Sequence, residues 1–166
     1  MAEAIKFEDL RILQSAEVIA DGIWREVVQW DLFARDAVGG QLARAADSIG
    51  ANIAEAFGRF HYGEKLQFLY YARGSLFETK YWLNRALGRD LMSSTLVQDY
   101  ASQLTSLARQ LNAFATGLKS QRHSTRSQTQ AVHELSAQYV TDSPDDALFL
   151  LFTDKELAWL ATVPNP

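Results

Sequence analysis

Val97-Gln-Asp-Tyr100-Ala-Ser-Gln-Leu104-Thr-Ser-Leu107-Ala-Arg-Gln-Leu111-Asn-Ala-Phe114-Ala-Thr-Gly-Leu118 repeats an apolar residue in alternating steps of three and four. That spacing lines one side of a 3.6-residue helix and is the seam of a helical bundle. Ser93 or Ser94 is placed to cap it. A seam cannot bury itself, so the remaining chain must supply partner helices. It is suited to do so: prolines stand only at 144, 164 and 166, and Met1 to Ser143 is rich in Ala, Leu, Arg, Gln and Glu. The periodicity predicts helices over roughly 8–29, 37–58, 63–88 and 94–119, joined by links short enough to make neighbours antiparallel. In the first, Leu10, Leu13, Ala20, Ile23 and Val27 form the stripe, with Glu8 and Asp9 set to complement the helix dipole. The expected fold class is all-α, an antiparallel up-down four-helix bundle with a C-terminal tail carrying short helices.

With 166 residues, 48% apolar and 11% aromatic, the chain can bury a core without a cofactor. The absence of cysteine excludes disulfides and thiolate metal sites and suits a reducing cytoplasm. No basic, apolar leader opens the sequence, and its longest apolar run, Ala147 to Phe152, is too short to span a bilayer, so a soluble cytoplasmic protein is expected. Residues 1–122, the expected bundle, carry 14 basic and 14 acidic side chains, whereas 123–166 carry 2 and 6, so the net charge of −4 belongs to the tail.

Ser120 to Gln130 is dense in Ser, Gln and Thr and reads as a flexible linker. Beyond it, Ser143-Pro144-Asp145-Asp146 resembles a helix start, and Thr153-Asp-Lys-Glu156 has capping-box spacing ahead of Leu157, Trp159 and Leu160. Ala147 to Phe152 should dock on the bundle, a neighbouring subunit or a partner, because an exposed apolar run invites aggregation.

The third helix is apolar nearly all round. Leu66, Leu69, Leu76 and Leu83 make one stripe, while Phe68, Tyr70, Tyr71, Phe77, Tyr81 and Trp82 occupy the rest. Burial of Tyr70, Phe77 and Tyr81 against another subunit is the expectation, the alternative being tyrosines lying flat on the surface.

No catalytic or metal-binding residue stands out. Di-iron bundles need Glu-x-x-His pairs, which are absent, and His61, His123 and His133 fall in a turn, the linker and the tail. Phosphate-binding glycine loops and nucleophile elbows are missing too. Arg126 and His133 have a spacing seen in helical ribonucleases, but they lie outside any seam helix, and a catalytic pair needs a rigid scaffold. Gln41, Arg44, Ser48, Asn52, Glu55 and Arg59 line one face of the second helix, as a solvated face, a hydrogen-bond network or a catalytic cluster. Lys65, Arg73, Lys80, Arg85 and Arg89 outnumber Glu64 and Glu78 on the third, a strip that an oligomer could present to RNA or DNA.

Three blocks now resemble the bacterial four-helix bundle family, also called 23S rRNA intervening-sequence proteins: Phe7 to Gln14, Gln41 to Glu55 with Arg59, and Phe68 to Glu78. The resemblance implies a ring-like cytoplasmic homopentamer without established enzymatic activity. It is related to accessory proteins of diversity-generating retroelements that bind a reverse transcriptase and nucleic acid. By position, Asn52, Glu55 and Arg59 match the polar signature of the second block, and Gly74, Ser75 and Glu78 that of the third; Gly74 and Ser75 would let helices approach closely. Ala56 and Ala43 depart from the pattern, where glycine and a second basic residue are usual, and the first loop lacks Phe-Pro. The expected function is a non-enzymatic, homo-oligomeric scaffold or adaptor, pentameric and without cofactor. One alternative is a nucleic-acid-binding accessory working with a reverse transcriptase or ribosomal RNA; another is a helical ribonuclease.

Overall fold

The computed structural model describes residues 9–130 and 151–163, and every regular element among them is helical. The order is α1 (Arg11–Val27), a single turn α2 (Leu32–Ala34) running into a π-helical turn (Arg35–Gly39), α3 (Gly40–Gly58), α4 (Tyr62–Leu87), α5 (Ser94–Gln130) and α6 (Asp154–Ala161). α1 packs on α3, α3 on α4, α4 on α5 and α5 back on α1.

The stripes read from the sequence form the interior. Ile19, Ile23, Leu42, Ile49, Ile53, Leu69, Leu76, Leu83, Leu104 and Leu107 are fully buried, each stabilising the fold by about 1.5–3 kcal/mol. The α5 seam is buried from Val97 to Leu118, apart from Phe114, which packs at its edge. Ser93 caps that helix, its Oγ accepting from the Leu96 amide at 3.3 Å. Asp31 does the same for α2, accepting from the Ala34 amide at 3.0 Å.

Two boundaries differ from the expected ones. The helix expected to start at 37 begins at Gly40, after a π turn that carries Val38 and Gly39 into the interior. Glycine is required at 39 by close approach, since a Cβ there would lie 2.5 Å from Val27 Cγ1. Residues 120–130, read as a linker, continue α5. They contain neither Gly nor Pro, and their Ser, Gln, Thr and Arg residues cost a growing helix a few tenths of a kcal/mol each, too little to stop it.

The tail docks. Leu151, Phe152 and Leu160 are buried, and α6 lies along α5. Its start is a complete capping box: the Glu156 amide donates to Thr153 Oγ1 at 3.2 Å, and the Thr153 amide donates to Glu156 Oε2 at 2.7 Å. The Ser143-Pro144 start, most of the Ala147–Phe152 run, Glu8 and His133 fall outside the described residues.

Candidate functional site

One turn of α4 advances about 3.6 residues, so its 26 residues present distinct faces. Leu69, Ala72, Leu76, Thr79, Leu83 and Ala86 form the face toward the interior. The row beside it, Arg73, Phe77 and Lys80, carries two cations flanking an aromatic ring. Next round, Tyr70, Gly74 and Tyr81 face outward.

Segment 151–163 covers the middle row. Phe77 lies 5.7 Å from the ring of Phe152 and 5.4 Å from that of Trp159, centroid to centroid. The Arg73 guanidinium pairs with Glu156 and sits 5.0 Å above Phe77 and 5.5 Å from Phe152. Lys80 Nζ donates to the Thr162 carbonyl and lies 5.7 Å from the Trp159 ring. Lys80 is fully buried, and desolvation holds its ammonium below the ordinary lysine range. From α5, Asn112 grips the segment's main chain from both sides. Its Nδ2 donates to the Phe152 carbonyl at 2.9 Å, and its Oδ1 accepts from the Phe152 amide at 2.8 Å. A buried amide leaves four hydrogen-bonding sites to satisfy, and this grip satisfies one of each polarity. Two cations and an amide, all wholly or partly out of water, are thus answered by one stretch of chain.

The expected interface residues are therefore separated. Phe77 belongs to the covered row, screened by Phe152 and Trp159 of the same chain, which corrects its expected burial by another subunit. Tyr70 and Tyr81 are 37% and 53% exposed, and a Cβ added at Gly74 meets none of the described residues within 4 Å. The basic strip divides too. Lys65, Arg73, Lys80, Arg85 and Arg89 do not fall in one helical row: Arg73 and Lys80 are engaged by the tail, Lys65 donates to the Phe57 carbonyl at 3.4 Å, Arg85 lies 5.8 Å from the Tyr81 ring, and Arg89 lines a cleft with Asp31, Phe33 and Trp82.

On α3, the row from Arg44 to Arg59 is a set of local bonds with one bridge between helices. Ser48 Oγ donates to the Arg44 carbonyl at 2.7 Å, and Asn52 Nδ2 donates to the Ser48 carbonyl at 2.8 Å and to Ser75 Oγ of α4 at 3.4 Å. Glu55 and Arg59 pair at 2.5 Å, with the guanidinium 4.6 Å from the Phe68 ring. Glu78 is exposed and joins neither cluster.

Asn112 escaped the sequence reading, although a signal was there: Ala101, Thr105, Ala108, Asn112 and Ala115 repeat at helical spacing beside the seam and are buried. Small residues in such a row make room for a further element, and a lone amide among them needs a polar partner.

Elsewhere little converges. The open groove between α1 and α5, about 900 Å³, is lined by Leu10, Val18, Phe114, Gln103 and Gln110. Asp47 faces Asp21 across α1 and α3; burial first, then the Asp21 charge, raises its carboxyl above the ordinary range. Among the described residues, no three His, Cys, Asp or Glu side chains cluster to hold a metal, and no helix is long and apolar enough to cross a membrane. No curated protein matches the chain. A model of the 23S rRNA-intervening sequence protein family matches residues 8–113, a span that takes in α1 to α4 and the part of α5 ending just past Asn112, and leaves out the segment that fills the groove. By that match over most of its length, the chain belongs to the 23S rRNA-intervening sequence protein family.

Proposed function

We propose that the chain is an antiparallel up-down four-helix bundle that assembles with copies of itself and serves in the cytoplasm as a non-enzymatic scaffold or adaptor. Five copies is the number the family resemblance implies. The outward face of α4 carries this reading. Gly74 stands in the middle of a 26-residue helix, where glycine costs about 0.5–1 kcal/mol relative to alanine, and among the described residues no contact calls for it. A second helix backbone laid across that face, between Tyr70 and Tyr81, gives the glycine a reason. Light scattering tests it: the full chain should run as an oligomer at micromolar concentration, and Tyr81→Glu should shift it toward monomer. A wild-type monomer under those conditions refutes the reading.

A second reading is a nucleic-acid-binding accessory of a ribosomal or reverse-transcriptase complex. It rests on Arg85 and Tyr81, an exposed cation beside an exposed ring, which is the pairing on which single-stranded bases stack. No binding of RNA or DNA at low salt, where phosphate contacts are strongest, refutes it.

A further inference from the structure

A cleft at one end of the bundle opens between α2 with its π turn and the turn that follows α4. It holds about 610 Å³, and Phe33, Val38, Trp82, Leu91, Arg89 and Asp31 are among its lining. Ligand pockets commonly run from about 300 to 1,000 Å³ and set a few polar groups into apolar walls. Both walls here are departures from regular helix. On one side the π turn takes an extra residue, so that Ala34 and Val38 are buried while the Phe33 ring is left 82% exposed. On the other, α4 closes in a Schellman turn. The Leu91 amide donates to the Ala86 carbonyl at 2.9 Å and the Asp90 amide to the Leu87 carbonyl at 3.1 Å, with Asp90 in the left-handed region at φ 56°, where glycine is usual. That reversal packs Leu91 back against the core beside the half-buried Trp82, whose ring meets Tyr81 edge to face at 5.1 Å.

The charged groups of the cleft are of opposite sign. Arg89 is exposed and makes no side-chain hydrogen bond or ion pair among the described residues. Asp31 gives Oδ1 to the Ala34 amide at 3.0 Å and keeps its second oxygen for another donor. A guanidinium matches phosphate with two parallel N–H bonds, an exposed aromatic face stacks any nucleobase, and a carboxylate oxygen accepts from a base N–H. A purely apolar ligand leaves Arg89 unused. A plain anion leaves Phe33 in water and meets the Asp31 charge. A planar base with N–H donors, joined to a phosphate, answers all three side chains.

We propose that this cleft binds a nucleotide, with the base stacked on Phe33 and against Trp82, the phosphate on Arg89 and a base N–H donated to Asp31. The nucleotide is either a free nucleoside monophosphate or one unit of a single strand. Every residue involved lies in one chain, so the cleft needs neither the scaffold reading nor the Arg85–Tyr81 surface.

Isothermal titration calorimetry of the full chain with guanosine 5′-monophosphate, ribose 5-phosphate and a guanosine-containing RNA trimer tests it. The monophosphate should bind saturably in the millimolar range or tighter, and at least ~10-fold tighter than ribose 5-phosphate, which has no base to stack. Phe33→Ala and Arg89→Ala should each weaken it at least ~10-fold, while Phe33→Tyr, which keeps the ring, should not. Both side chains are exposed, so circular dichroism should show all three variants as helical as the wild type. Binding of the trimer alone, with the same pattern across the variants, makes a strand the source and supports the site. Failure of both guanosine probes overturns it. Ribose 5-phosphate binding as tightly as the monophosphate reduces the cleft to a phosphate contact and overturns it too. RNA binding that is indifferent to Phe33→Ala removes this cleft and leaves the nucleic-acid reading standing.

Discussion

Two adjacent rows of α4 have opposite fates. Arg73, Phe77 and Lys80 are covered by the chain's own distant segment, and Tyr70, Gly74 and Tyr81 are left facing outward. The covered row shows what its neighbour lacks. Its charges are matched one for one by a carboxylate and a carbonyl, its ring is packed by two others, and an amide on the next helix fixes the register. In the outward row an unfilled glycine and two exposed rings remain, a surface for a backbone rather than for a specific side chain. An apolar stretch of sequence therefore does not by itself identify a subunit contact; the polar groups within it decide which cover fits.

The comparison can be broken most sharply at Phe152. Replacing this fully buried ring with alanine should weaken docking of 151–163 by about 3–5 kcal/mol while leaving α1 to α5 folded. Hydrogen exchange should then rise across α6 and stay slow in α3 and α4; fast exchange throughout would mean that the tail is integral to the core.

Asn112→Ala should cost about 1–3 kcal/mol, because the Phe152 amide and carbonyl lose their buried partners. Limited proteolysis of α6 measures it, and unchanged protection would show that the ring pocket alone holds the segment.

In the outward row the sign reverses. Gly74→Ala should raise the unfolding stability of the isolated subunit by about 0.5–1 kcal/mol, since its Cβ enters open space, yet weaken assembly on light scattering. A variant that is both more stable and equally assembled would remove this face from the interface.

The smallest effect belongs to pH. Burial lowers the pKa of Lys80 in the docked state, so docking takes up the neutral amine more readily than the ammonium. The corresponding stability is present above the ordinary lysine value of 10.5 and is lost as pH falls through the depressed one. Docking of 151–163 should thus tighten as pH is raised toward 10.5, and subtraction of the Lys80→Met profile isolates this contribution. Identical slopes in the two proteins would assign the pH dependence to other groups.

How much of this could be read beforehand follows the range of the interaction. The α5 seam and the Thr153–Glu156 capping box depend on residues three or four apart, and both are found as the spacing predicts. Lys80 reads from the sequence as one member of a basic strip, and the carbonyl it donates to belongs to Thr162, 82 positions later. Phe77 reads as a subunit contact because its helix is apolar nearly all round, and nothing nearby in sequence announces Phe152 and Trp159. The linker reading of 120–130 failed differently, since polar composition was weighed above the absence of breakers in a helix already under way.

With eight residues, α6 is shorter than the roughly 12–15 that a solitary helix needs to persist in water, capping box notwithstanding. Its two turns must therefore coil as they settle and unravel as they leave, making recognition and folding a single event. Circular dichroism of a synthetic 151–163 should be that of a random coil, and the ordering entropy spent on arrival offsets part of what its many specific contacts contribute.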